Sequence, residues 1–284
     1  MDIKNTAPTV EYSLEINAFF CCTLPIKDLF DKDQLSLDYD TIKKSHIYII
    51  GYSPFIEVEY IYKTNQFGQI YTVLVFGKPY EIHFPLSEED DHSFPDDITI
   101  LRALNEQHHN FLFYVKYIGQ AYGKNGSRNA INRLPNHEKL LEICVKVPIG
   151  YCVTILLLEI DPDIKVNAIH KIKNEEPLDA GIDKLYGTIN KEHINLYEAA
   201  LIGYFEPEYN AHFKDSFPSK KLKTLAKCYE NNISTITVNL DDFNLPFHLF
   251  SEEVESAPNH VAEYVLPKKR TKKASNNQEK IALT

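Results

Sequence analysis

Tyr117 stands in the segment YVKYIG (114–119), and Arg133 and His137 follow four residues apart in NRLPNH. A hydroxyl, a guanidinium and an imidazole brought together suit phosphodiester chemistry. The planar guanidinium matches the oxygens of a phosphate, and an imidazole or phenol can move protons. Gly119, Gly123 and Gly126 punctuate the stretch between them. A loop with free backbone N–H groups ahead of a helix start also favours a phosphate. Each residue alone has a plainer reading, as a strand tyrosine with its hydroxyl at the surface or a solvated helix histidine.

The elements that must position these side chains are legible from periodicity. FLFYVKYIG (111–119) is a strongly apolar strand and YEIHFPL (80–86) another. From Arg128 the pattern turns helical, with Ala130, Ile131 and Leu134, then Leu140, Leu141 and Ile143, and Pro135 should break or kink it. On an unbroken helix Arg133 and His137 would share a face. YCVTILLLEI (151–160) reads as a strand buried on both faces. A helix over about 191–205 has Leu196, Ala199, Ala200 and Ile202 on its inner stripe. Glu198 lies beside that stripe, where an unpaired carboxylate is costly. Residues 10–76 alternate apolar and polar side chains, with HIYIIGY, FIEVEYIYK and QIYTVLVFG as the clearest strands.

The 284 residues are 44% apolar, enough for one large domain or two ordinary ones. Cys21 and Cys22 are adjacent and the other three cysteines scattered, with no CxxC pair, which fits a reducing cytoplasm. The N-terminus lacks a signal-peptide pattern, and the longest apolar run is too short to span a bilayer, so no membrane partner is expected. The formal net charge of −10 argues against a non-specific nucleic-acid coat protein. It leaves room for an enzyme with one basic groove. Positive charge clusters at Lys116, Lys124, Arg128 and Arg133, and again over 268–273.

Tyr117-Ile118-Gly119 followed by Arg133 and His137 resembles the second half of the signature of the GIY-YIG nucleases. A further match lies in LYEAALIGYFEPEYN (196–210), where Glu198, Leu201-Ile202 and Pro207-Glu208-Tyr209-Asn210 stand in the family's order. Asp215-Ser216-Phe217-Pro218 is similar to its repair branch, and the resemblance covers roughly residues 80–218. No Gly-Ile-Tyr occurs. The nearest candidate is Lys78-Pro79-Tyr80, and pairing its strand with FLFYVKYIG sets Tyr80 opposite Tyr117. Arg128 competes with Arg133 for the arginine role, and only Arg133 stands four residues before a histidine.

The resemblance implies a division of labour. Glu198 would coordinate one Mg²⁺ or Mn²⁺, which stabilises the leaving 3′ oxygen. Tyr117, with Tyr80, would position or deprotonate the attacking water, helped by His137. Arg133 would bind the scissile phosphate. Asn210 would hold the site together, and Lys124 and Arg128 would contact nucleic acid. The expected fold is α+β, with a small antiparallel or mixed sheet flanked by helices. A β-rich module (1–76) would precede a GIY-YIG-like core (77–218), an α/β extension (219–266) and a basic, disordered tail (267–284). The expected activity is metal-dependent endonucleolytic hydrolysis of DNA, with RNA not excluded, in phage defence, restriction, mobile-element or repair biology. The alternative of a different class is a nucleic-acid-binding module that keeps the fold and lacks catalysis.

Overall fold

Strand β1 (Tyr12–Pro25) alternates buried and less buried side chains along its length, and the chain builds its main sheet around it. In a computed structural model of the protein, the residues described are 11–31, 39–57, 63–65, 68–85, 97–108, 111–121, 133–161, 165–168, 191–214, 217–218, 223–230, 232–241, 245 and 247–266. Beside β1 the main sheet contains β2 (Ile47–Pro54), β7 (Leu112–Gln120), β8 (Tyr151–Ile160), β9 (Lys165–Ala168), β10 (Ile233–Asp241), β11 (His248–Phe250) and β12 (Asn259–Val265). Seven strands run in the order β11-β7-β2-β8-β1-β10-β12, and β9 pairs with the first residues of β1. The β1/β10 and β11/β7 pairs are parallel and the rest antiparallel, so the sheet is mixed.

Each face of this sheet has its own core. Ile47, Ile49, Val115, Ile118, Leu156 and Leu158 pack on one side with helices α2 (Asp97–His108), α4 (Lys191–Phe205) and α5 (Lys223–Glu230). A small second sheet joins that side, made of β3 (Ile56–Glu57), β4 (Lys63–Asn65), β5 (Gly68–Val75) and β6 (Lys78–Pro85). On the other side Tyr48, Ile50, Ile155 and Leu157 meet Ile42 of α1 (Tyr39–Lys44), and Leu140 and Ile143 of α3 (Glu138–Val145). The protein is therefore α+β, with a main sheet larger than the small one expected.

Two expectations are corrected by the strand order. β2 lies between β7 and β8, and β10 to β12 complete the same sheet, so no boundary falls at 76/77 or at 218/219. The physical reason is visible in HIYIIGY: every residue of β2 is buried, as a central strand covered on both faces requires. Tyr80 is not opposite Tyr117. Its strand β6 pairs with β5, placing Tyr80 against Val73, because Phe76-Gly77 forms a two-residue turn between the paired Val75 and Lys78. Both turn residues have positive φ, 51° and 71°, as such hairpin turns demand. The Tyr80 ring packs instead on His108 and Phe111. Among the described residues no helix is long and apolar enough to cross a membrane. Lys124, Arg128 and the tail 267–284 lie outside the described residues.

Candidate active site

The site begins with a bulge in β7. Ile50 of β2 pairs with Tyr117 and the next residue, Gly51, pairs with Val115, which leaves Lys116 without a partner in the register. The extra residue shifts the alternation by one. Phe113, Val115 and Ile118 face the core beneath α4, whereas Tyr114 and Tyr117 face the opposite side with Tyr48, Ile50 and Tyr52. Without the bulge, strict alternation would send Tyr117 to the same face as Phe113 and Val115. The Tyr48 and Tyr117 rings then stack with centroids 6.1 Å apart.

The bulged Lys116 is buried. Its Nζ donates to Glu208 Oε2 at 2.6 Å and lies 3.8 Å from the Tyr114 ring centroid. Burial alone would lower its pKa, but Glu208 and Tyr114 outweigh that and hold it above the ordinary lysine value. Lys116 is thus removed from the basic groove to which the sequence assigned it.

Past the bulge, the outer edge of β7 is open, because β11 accompanies only Leu112 to Tyr114. Other groups take up the exposed backbone. Tyr209 N–H donates to Lys116 O at 3.1 Å. The Asn210 carboxamide answers both groups of Ile118: it accepts from the N–H at 2.9 Å and donates to the C=O at 2.8 Å. One step on, the Gln120 carbonyl accepts from Arg133 Nη1 at 3.0 Å, and a backbone hydrogen bond joins Gln120 to the Glu198 carboxylate. A short strip of strand edge therefore fixes Asn210, Glu198 and Arg133 in succession.

His137 arrives from a different element. Arg133 caps a single 3-10 turn, Leu134–Asn136, with Pro135 in it, and His137 caps α3. The two do not share one unbroken helix face; the proline turn brings them to the site separately. The His137 ring sits 4.8 Å from that of Tyr117 and 6.2 Å from that of Tyr48.

Tyr117, Arg133, His137, Glu198 and Asn210 line one open cleft of about 640 Å³, and residues 211–213 line it too. Burial pushes the Glu198 carboxyl up to about 7, against the Arg133 guanidinium and the Gln120 hydrogen bond, which favour ionisation. Burial, with Arg133 as the second cause, lowers the His137 pKa, so its imidazole is neutral at neutral pH. Burial raises both Tyr48 and Tyr117, with the Glu198 charge adding to each, so both phenols stay protonated. Among the described residues His137 Nδ1 and Gln120 Oε1 are buried without a hydrogen-bond partner, and the Tyr48 hydroxyl has only the Tyr117 hydroxyl beside it. All three belong to this end of β2 and β7 or to the turn facing it. Unpaired buried polar atoms are costly, and their concentration here marks a place built for something other than packing.

Tyr48 is the residue that sequence reasoning missed. The signal was present in His46-Ile47-Tyr48, an Ile-Tyr step on a strong strand, but a histidine stands where a glycine was sought. His46 has structural work, since its Nδ1 accepts from the Ile160 N–H at 3.1 Å. Among the described residues no group of three or more His, Cys, Asp or Glu side chains could hold a metal ion. Glu198 would serve an ion alone, with water filling most of the shell, which suits a hard divalent cation. The chain matches no protein-family model, no curated protein and no solved structure.

Proposed function

We propose that this protein is a metal-dependent endonuclease of the GIY-YIG type that hydrolyses DNA phosphodiester bonds. The observation that carries the reading is the meeting of Tyr117, Arg133, His137, Glu198 and Asn210, drawn from distant parts of the sequence, in one open cleft. Tyr48, stacked beside Tyr117 from the antiparallel strand, supplies the first tyrosine that the resemblance requires and that Tyr80 does not. A central sheet whose β7 edge carries the site supports the same reading.

The roles follow from the local chemistry. Arg133 grips the scissile phosphate and draws charge from its oxygens. His137, whose ring lines the cleft and is held neutral, accepts the proton of the attacking water, a task for which a protonated phenol is poorly suited. Tyr117 orients that water and the phosphate by donating a hydrogen bond, and Tyr48, fully buried behind it, holds its ring by stacking. Glu198 would hold Mg²⁺ or Mn²⁺, which when bound supplies positive charge to the leaving 3′ oxygen. Asn210 acts through β7, by fixing both backbone groups of Ile118, the residue after Tyr117. The test is cleavage of plasmid and single-stranded DNA with each ion, wild type beside Glu198→Ala. Inactivity of the folded wild type with every ion overturns the reading in favour of a binding module.

A further inference from the structure

We propose that the cleft receives an unpaired nucleotide, with its base against a wall formed by His212 and Phe213, so that the substrate is single-stranded or locally opened nucleic acid; this rests on the nuclease reading of the same cleft. The lining of the cleft is of two chemistries. Tyr117, Arg133, His137 and Glu198 offer polar and charged atoms, whereas Ile202, His212 and Phe213 offer apolar and aromatic surface. Nothing in phosphate chemistry calls for that second surface, and a nucleobase does. At about 640 Å³ the cleft has the size of cavities that enclose a whole small ligand, far more than a phosphodiester alone fills.

The wall is held in place at a cost. Phe213 has φ of 70°, a left-handed conformation that a bulky residue rarely adopts, and strain of this kind persists where the surroundings enforce it. The enforcement begins three residues earlier, where Asn210 is locked to Ile118 of the strand that carries Tyr117. The distance from the wall to the tyrosine is therefore set by the fold. The His212 ring is exposed, with its centroid 6.5 Å from that of Phe213, so an aromatic surface faces solvent beside the reacting groups. A base in a duplex is already stacked and cannot use it; an unpaired base can. Stacking also supplies affinity that a chain of net charge −10 does not gain from long-range attraction.

The experiment uses the full-length protein in EDTA and two labelled single strands of equal length, oligo(dT) and a fully abasic strand, which present the same phosphates. Wild type should bind oligo(dT) roughly five- to a hundredfold more tightly than the abasic strand, the range for one stacked base. His212→Ala, at an exposed position, should lose most of that preference while its affinity for the abasic strand is unchanged. Phe213→Leu, which keeps apolar packing, is the second variant, and circular dichroism checks that both are folded. Equal wild-type affinity for the two strands, or a preference intact in both folded variants, overturns the stacking proposal and leaves the nuclease reading standing. Arg133→Ala should weaken both strands equally; if it weakens neither, the guanidinium does not grip the ground-state phosphate, whatever the base preference.

Discussion

The ring of Tyr48 lies over Gly119, the residue with which it is paired across β2 and β7. A Cβ at position 119 would stand 2.5 Å from both Cζ and Oη of Tyr48, and 2.9 Å from Cε1 of Tyr117. The missing side chain is thus what lets two tyrosine rings share one patch of strand. Gly119→Ala must push both rings aside. It should cost about 1–3 kcal/mol of stability by urea denaturation and at least tenfold in cleavage rate, because the tyrosines lose their common position. Wild-type cleavage by a folded Gly119→Ala protein would mean that the tyrosine pair does not serve the reaction.

Glu198→Ala should reduce cleavage by roughly a hundredfold or more while DNA binding is retained or tightened, since a metal ligand and a negative charge near a polyanion are both removed. Glu198→Gln carries a second expectation. Because burial raises the folded carboxyl from 4.5 to about 7, the unfolded chain ionises first, and wild-type stability falls as pH rises across that interval. The glutamine variant should therefore match wild type below the interval and exceed it above, with a Tm difference that grows as pH rises. An identical Tm difference at all pH values would contradict the buried carboxylate.

Arg133→Ala should damage both binding and turnover, in contrast to Glu198→Ala. Arg133 is the proposed phosphate contact and also ties the Gln120 carbonyl. A loss of roughly 10²–10³ in kcat/KM is the expected scale for one charged contact to a transition state. Gel-shift affinity and single-turnover rate, measured together, separate the two variants. If Arg133→Ala binds normally and only turns over slowly, the guanidinium does not grip the ground-state phosphate.

Asn210→Ala strips the Ile118 N–H and C=O of their partners at a buried edge. The expected cost is about 1–3 kcal/mol, larger than for truncating an exposed amide. Cleavage should fall as well, since the same bonds hold the loop that carries Tyr209 and residues 211–213. Calorimetry and cleavage of one preparation test both, and a neutral substitution would show that Asn210 is not the clamp.

His260 gives a pH test away from the cleft. It is almost wholly buried, and its Nε2–H donates to the Leu249 carbonyl at 3.1 Å. That tautomer leaves Nδ1 to accept from the Tyr204 hydroxyl at 3.3 Å. Burial, only partly offset by the bond to Leu249, lowers its pKa from 6.5 to about 4. The unfolded chain takes up this proton first, so stability drops as pH falls through that interval. His46 and His137 shift in the same direction, so the comparison is between wild type and His260→Gln, whose slope over this range should be shallower. Equal slopes would mean that His260 is not held neutral.

What the sequence made legible, and what it did not, divides along physical lines. Arg133 and His137 stood out by their spacing after a strand end and Glu198 by its place beside an apolar stripe, whereas Asn210 was reached only through the family resemblance. The partner of Tyr117 could not be picked out. Hydrophobic alternation says that HIYIIGY is a strand but not which strand it pairs with, and proximity in sequence favoured YEIHFPL. The hairpin turn at Phe76-Gly77 had already claimed that segment. The bulge at Lys116 was equally hidden, since one unpaired residue leaves no mark in composition. The pairing of Lys116 with Glu208 is a contact across 92 residues, beyond the reach of any local pattern.

The parallel pairing of β1 with β10 gives the site a schedule. Asn17 accepts a hydrogen bond from Asn239, 222 residues later, and the carbonyl of Asn239 accepts from Tyr197, the neighbour of Glu198 on α4. The helix that delivers the carboxylate is thus seated on a strand from near the end of the chain. A nascent polypeptide carries its tyrosines out of the ribosome long before it can seat the acid that completes the cleft. Contacts this distant also close late when the whole chain refolds. Cleavage should therefore return only after most of the secondary structure has formed, which stopped-flow refolding followed by a cleavage assay would check.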